Sequence, residues 1–401
     1  MSEPRKPLIS LDDALASLLA QIVPLAGTET LATADSRGRV LAVDLVSPVD
    51  VPPADNSAMD GYALRAADAA SLLPVTQRIP AGSVPAPLSA GEAARIFTGA
   101  QVPPGADTVV MQEHTELVDG QLRITQPVAP GANVRLRGED VRAGSVVLPA
   151  GTRLDAVSLG LAATAGAARL TVTRRPRVAV FSTGDELVMP GEPLPPGAIY
   201  NSNRFTLRAL LDGLGCEVVD LGIVPDNLAA TRAALREAAS RADVILTSGG
   251  VSVGEEDHLR PAVQAEGQLD LWAIAIKPGK PFAYGRVGEA HFIGLPGNPV
   301  SSLVTFLVLV RPALLKLQGA SRLTPRGYRL VAGFDWPRPD KRREFLRVRL
   351  DDEGGLAMFS NQSSGVLTSA FWADGLLDNP PGQPIKAGDA VRFLPFAELL
   401  A

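Results

Sequence analysis

This chain predicts a multidomain α/β protein, with a central doubly wound α/β domain and smaller β domains on either side. Three observations carry that expectation. The 401 residues exceed the roughly 100–200 of one ordinary domain. Between residues 174 and 325, apolar strand-like runs alternate with helical patterns, which is how a parallel sheet covered by helices on both faces reads. At about 50–150 and again at 328–401, short β-like runs recur between Pro, Gly and Asp-Gly breaks, as in small β domains.

The elements follow in order. Ser10 caps a helix with Asp13 three residues on, and Leu11, Leu15, Leu18 and Ile22 fall on one face. Leu41, Val43 and Leu45 alternate, so 39–45 reads as a strand. Further short strands are expected at 94–98, 108–112, 121–125 and 145–148, and an Ala- and Gly-rich helix within 154–169. The central region then gives strands at 177–182, 217–221, 243–248, 272–276 and 291–295. Its helices are expected at 203–214, with Leu207, Leu210, Leu211 and Leu214 inward, at 228–241, and from Pro299 to about Leu317. The last region gives strands at 329–334, 345–350, 356–359 and 390–394, a small barrel or sandwich.

Bulk properties exclude some classes. At 46% apolar and 20% charged, the composition supports a packed core rather than disorder. A net charge of −5 and the lack of a long basic run argue against general nucleic-acid binding, which rests on Lys and Arg against phosphates. The patch Lys341, Arg342 and Arg343 reads as a solvated strand end. Cys216 is the single cysteine, so no internal disulfide can form, which fits a reducing compartment. The segment MSEPRKPLIS lacks an apolar signal region. The apolar stretch from Leu303 to Val310 is too short to span a bilayer. A cytoplasmic protein with no membrane partner is expected.

Candidate chemistry gathers where central strands end, since open α/β sheets bind ligands beyond their carboxyl edge. Three strands run into glycine-containing polar loops. The first carries Thr183, Gly184, Asp185 and Glu186. The second carries Ser248, Gly249, Gly250, Ser252 and Gly254. The third carries Pro296, Gly297 and Asn298, followed by Ser301. Successive amides in such turns form anion nests, and Asn298 with Pro299 can open a helix whose N-terminus favours an anion. The third loop taken alone reads equally well as an ordinary tight turn. Carboxylates stand beside these loops: Asp185 and Glu186 after the first strand, Glu255, Glu256 and Asp257 after the second, and Asp226 ahead of a helix. Oxygen ligands beside phosphates suit Mg²⁺. Asp226 also reads as a helix N-cap, and Glu255 and Glu256 as a solvated loop. Lys277 and Lys280 sit in Ile276-Lys277-Pro278-Gly279-Lys280-Pro281, where proline and glycine stiffen the backbone, so two point charges can meet an oxyanion or pyrophosphate. From the residues alone, the central domain binds a phosphorylated anion with a divalent cation.

The motifs taken together resemble the MoeA family, to which the matching domains of gephyrin also belong. They are SAMDGYA at 57–63, FTGA at 97–100, GAD at 105–107, RGED at 137–140, STGDEL at 182–187, SGGVSVGEED at 248–257, IKPGKPF at 276–282 and GLPGNPVSS at 294–302. The resemblance implies an elongated domain from 1–49 plus 144–172, an inserted β domain at 50–143, an adenylyltransferase-like α/β domain at 173–325 and a C-terminal β-barrel at 326–401. It implies a homodimer, with each active site between the α/β domain of one subunit and the inserted domain of the other. The implied reaction inserts molybdenum from molybdate into adenylyl-molybdopterin and releases AMP, with Mg²⁺ as the metal. Asp185, Glu186, Asp226 and Asp257 would hold the metal or position water, and Lys277 and Lys280 would hold molybdate or pyrophosphate. Asp60, Thr98, Arg135 and Asp140 match positions supplied by the facing subunit. Arg347 and Ser363 match positions for oxyanion contact in the C-terminal domain. Molybdopterin adenylyltransferase and downstream cofactor-handling proteins are the partners this implies. Two other readings stand beside it: molybdopterin adenylyltransferase itself, which lacks the extra β domains, and a non-catalytic scaffold or cofactor carrier.

Overall fold

The computed structural model describes residues 8–250 and 258–400. Its central sheet has six strands in the order Glu217–Val224, Arg177–Thr183, Val244–Ser248, Ala290–Leu295, Pro281–Val287, Gly267–Ala273. The first four run parallel and the last two add an antiparallel edge. Both faces of the strands Arg177–Thr183 and Ala290–Leu295 are buried almost throughout, which explains their near-continuous apolar sequence.

Two separate cores cover the sheet. One face packs Val178, Val180, Leu246 and Ile293 against the helix Leu11–Ala20, Leu207 and Leu211 of the helix Ser202–Gly213, and the helix Pro299–Leu317. The other packs Ala179, Phe181, Ile245 and Phe292 against Leu235 and Ala238 of the helix Leu228–Arg241 and Leu259 and Val263 of the helix Leu259–Glu266. The helix Pro299–Leu317 has the length and apolar character to cross a membrane, but 89% of its apolar 18-residue window is buried in the protein. A wide π turn at Phe306–Val310 interrupts it.

The region ahead of the central sheet contains a six-stranded sheet in the order Thr108–Met111, Gly61–Leu64, Ala93–Ile96, Leu73–Ile79, Gln121–Ile124, Thr115–Val118. Beside it, Thr28–Ala32 pairs antiparallel with Arg169–Thr173, and Leu45–Val46 with Val146–Leu148. At the other end, Arg343–Leu350, Gly375–Asn379, Ala390–Pro395 and Tyr328–Val331 lie side by side, with Leu356–Met358 on the outer edge of Arg343–Leu350. An Ala332–Leu356 bridge joins the two ends of this sheet and closes it as a barrel. The barrel also takes in a strand from outside: Ile276–Lys277 pairs parallel with Arg343 and Glu344.

Several expectations are corrected. Residues 39–45 do not form a regular strand. Val40 and Leu41 are adjacent and both buried, each making an isolated bridge, while Val43 is exposed; the alternation there comes from an irregular crossing. The expected strand at 272–276 is split, because its first part belongs to the central sheet and its last to the barrel. Asn227, not Asp226, caps the helix Leu228–Arg241, accepting from the Ala230 amide. Asn298 occupies the N-cap position ahead of Pro299, but its side chain makes no capping bond.

Candidate active site

The three glycine loops converge at the carboxyl edge of the parallel strands. Ser182 and Ser248, buried at the ends of neighbouring strands, share a hydroxyl bond of 3.2 Å. Gly249 has φ 91° and Gly250 φ 63°, conformations that side chains resist. Space is also tight: a Cβ on Gly249 would lie 3.1 Å from the Thr183 carbonyl oxygen, and one on Gly250 3.0 Å from Thr183 Oγ1. The Gly249 amide donates to the Leu295 carbonyl at 3.0 Å, and a Cβ on Gly297 would sit 3.7 Å from Gly249 Cα. Asn203, in the first turn of Ser202–Gly213, donates from Nδ2 to Gly297 O at 2.7 Å. Thr183, Ser248, Pro296 and Ser301 are therefore buried walls, whereas Asp185, Glu186, Gly297 and Asn298 are exposed at the rim. Ser252, Gly254 and Asp257 lie outside the described residues.

The lysine loop packs against the same helix that the third loop starts. Gly279, at φ 112°, is so close to the helix that a Cβ would collide with Thr305 Oγ1 and come 3.4 Å from Ser301 O. The two lysines differ, where the sequence suggested a matched pair. Lys277 Nζ lies 3.2 Å from Glu344 Oε1 and 3.6 Å from Asp340 Oδ2. Glu344 is wholly buried and also accepts from Trp336 Nε1 at 2.8 Å. Asp340 receives two bonds from the Arg342 guanidinium, which hold its carboxyl well below the usual carboxylate range. Lys280 is exposed, and its carbonyl accepts the Ile274 amide at 2.8 Å.

The barrel reaches the same place. The Ser364 carbonyl accepts the Val300 amide at 3.0 Å, so an early amide of the helix is already engaged by the 362–365 turn. Arg347 lies beneath this turn, 1% exposed. Its guanidinium donates to Ser369 Oγ at 3.1 Å, Phe345 O at 3.0 Å and Ser363 O at 3.4 Å. Burial pushes it down to about 10, which leaves it charged at neutral pH. Arg347 is thus a strut under the turn, while Ser363 is the exposed residue of the two.

Among the carboxylates, Asp185 Oδ1 accepts the Asp226 amide at 3.3 Å, and the Glu186 carboxylate folds over Gly184, 2.6 Å from where a Cβ would stand. Among the described residues, no three acidic, His or Cys side chains are grouped to hold a metal by themselves. Asp185 and Glu186 nevertheless stand at the mouth of the loops, and Mg²⁺ needs only one or two carboxylates when phosphates supply the other oxygens.

A second set of polar residues lies in the region ahead of the central sheet. Asp60 Oδ1 accepts from the Thr98 amide and hydroxyl, both at 2.7 Å, and these bonds hold its carboxyl below the usual range. Arg135 is paired with Asn56, and Asp140 donates its amide to Val51 O. All four side chains are exposed.

Sequence reasoning missed Glu344, Asp340, Trp336 and the Ser364 carbonyl. The one signal for Glu344 was a charged residue entering the strand Arg343–Leu350, whose burial does not alternate.

Comparisons with known proteins agree with this layout. Residues 9–166 match the MoeA N-terminal region (domain I and II), 179–316 a probable molybdopterin binding domain, and 329–396 the MoeA C-terminal region (domain IV). The molybdopterin molybdenumtransferase of Haemophilus influenzae is 41% identical, across 98% of this chain and 100% of that protein. The one from Nostoc is 39% identical, across 98% and 94%. A crystal structure of the molybdopterin biosynthesis MoeA protein from Pyrococcus horikoshii superposes with a TM-score of 0.84 at 29% identity, covering 97% of this chain and 100% of that one. From end to end, therefore, this chain belongs to the MoeA family.

Proposed function

We propose that this protein is the enzyme that inserts molybdenum from molybdate into adenylyl-molybdopterin, cleaving the phosphoanhydride and releasing AMP. The observation that carries the reading is the packing of the lysine loop against Ser301 and Thr305, at the helix that opens from the third glycine loop. Phosphate oxygens would rest on Thr183, Gly184 and Ser248 through Gly250, with Pro296 to Asn298 forming the far wall. Lys280, exposed at the rim, would meet the incoming oxyanion. Lys277, steadied by Glu344, would stabilise charge that grows as the anhydride breaks.

Mg²⁺ is the metal we assign, with Asp185 and Glu186 as its protein ligands and Asp226 beside them; when bound, it neutralises phosphate charge. Asp60, Thr98, Arg135 and Asp140 would complete the site from the other subunit of a homodimer, in the cytoplasm. Arg347 holds the 362–365 turn and thereby places Ser363 toward the oxyanion.

The test incubates purified protein with adenylyl-molybdopterin, with and without molybdate, and measures AMP. Molybdate-dependent AMP release is expected. Adenylate formation from ATP and molybdopterin, with no response to molybdate, would overturn the reading in favour of an adenylyltransferase.

A further inference from the structure

The far end of the central domain holds a cleft that the proposed reaction does not use. It has a volume of about 720 Å³ and is lined by Arg37, Arg153, Arg175, Arg311 and Arg322. Its other walls include Gly213 and Gly215, at the end of the helix Ser202–Gly213, and Leu315 and Ala320, at the end of Pro299–Leu317. Both helices begin at the glycine loops. At 1.5 Å per residue they carry the chain roughly 18 Å and roughly 28 Å away, so cleft and loops lie at opposite ends of the domain.

The charge in this cleft is not balanced. Three acidic residues share the lining, Asp155, Asp212 and Glu398. Asp155 caps the helix Ala156–Thr164 through the Ser158 amide, and Glu398 pairs with Arg322 at 2.9 Å. Among the described residues, no carboxylate lies within ion-pair distance of Arg37, Arg153, Arg175 or Arg311. Arg311 is 7% exposed. Its terminal nitrogens donate to the carbonyls of Glu398 at 2.8 Å and Leu323 at 3.4 Å, and Arg153 donates to Gly213 O at 2.8 Å. The Nε atoms of both arginines are buried with no hydrogen-bond partner among the described residues.

Backbone carbonyls satisfy donors but do not neutralise a charge, and a buried charge without a counter-charge is costly. Burial lowers both guanidiniums from their ordinary value, and Arg153 lowers Arg311 further by repulsion. A dianion in the cleft would supply the counter-charge that the lining lacks and relieve that repulsion, because Arg presents a planar fork suited to oxyanions.

We propose that this arginine cleft is a second oxyanion site, which binds a tetrahedral dianion such as phosphate or molybdate between Arg153 and Arg311, with Arg37, Arg175 and Arg322 at its mouth. The site is independent of the reaction assigned above, since it shares no residue with the glycine or lysine loops.

The experiment is equilibrium dialysis of the full chain with molybdate, together with crystals soaked in molybdate and located by anomalous scattering from molybdenum. An anomalous peak is expected between Arg153 and Arg311. The Lys277→Ala/Lys280→Ala variant should keep this equivalent of molybdate, whereas Arg153→Gln should weaken it about tenfold, the factor equivalent to 1.4 kcal/mol. Arg175→Gln, at an exposed position, should weaken it less and guards against a folding defect in the first variant. Competition by inorganic phosphate separates the two sources. Complete displacement identifies a phosphate-type site and persistence of bound molybdate identifies a molybdate site, and both support the proposal. No peak in the cleft, or parent-like binding of both anions by Arg153→Gln and Arg175→Gln, would overturn it.

Discussion

At the scale of single residues, Gly279 binds the lysine loop to the helix behind it. A methyl group there would meet Thr305 Oγ1 and Ser301 O in a backbone conformation that already favours glycine. Gly279→Ala is expected to cost at least about 2 kcal/mol and to abolish molybdate-dependent AMP release, read by urea unfolding and by turnover. Glu344→Gln should be milder in stability, about 1–3 kcal/mol, because Lys277 is half-exposed and partly screened. Its turnover should fall further than its substrate affinity, since the lysine is retained and only its position is loosened. His291 supplies a pH dependence. Burial, with help from Arg286, pushes it from 6.5 down to about 4, and it bonds Tyr284 at 2.8 Å. Below about 6.5 the unfolded chain takes up a proton that the folded chain refuses. Stability is therefore complete above that pH and falls as pH drops toward 4. The urea midpoint of the protein should show this loss, and a His291→Gln variant should show less of it.

Elements show where sequence periodicity works and where it fails. The helices Leu11–Ala20 and Ser202–Gly213 were legible because each buries one leucine stripe, the first behind its Ser10 cap, whereas at Leu228–Arg241 the helix was legible but its cap, Asn227, was not. The glycine loops were legible because their composition has no use inside a strand. The burial of Glu344 and Arg347 was not legible: both are charged residues inside the strand Arg343–Leu350, and partners from other segments, such as Lys277 and Ser369, make it tolerable. The strand Pro281–Val287 was missed for another reason: it opens on the proline that ends the stiffened lysine loop, and it contains Gly285, where a Cβ would strike Gln268 O. The helix Pro299–Leu317 gives the prediction at this scale. Leu307 and Leu309 are 1% and 0% exposed, so Leu307→Ala or Leu309→Ala should cost about 2–5 kcal/mol. Urea unfolding followed by circular dichroism measures it.

For the whole molecule, the two polar groups make a sharp expectation. Asp60 with Thr98 lies just beyond the strands Gly61–Leu64 and Ala93–Ile96, and Lys277 with Glu344 belongs to the barrel. If a site is completed across two subunits, Asp60→Asn and Lys277→Ala chains should each be inactive alone. Mixed and reassociated, they should recover about a quarter of parental AMP release, since half the dimers are mixed and one of two sites in each is intact. Mixing that restores nothing would place both groups in one subunit's site or outside it.

The strand Ile276–Lys277 sits in the barrel although the chain on both sides of it belongs to the central sheet. The C-terminal region is therefore no detachable cap. A chimera joined near residue 326, with a barrel taken from a distant relative, would inherit a foreign neighbour for Lys277 even with every glycine loop unchanged. Grafts in this protein will have to carry the 274–281 segment along with the barrel, because the two share one hydrogen-bonded ladder.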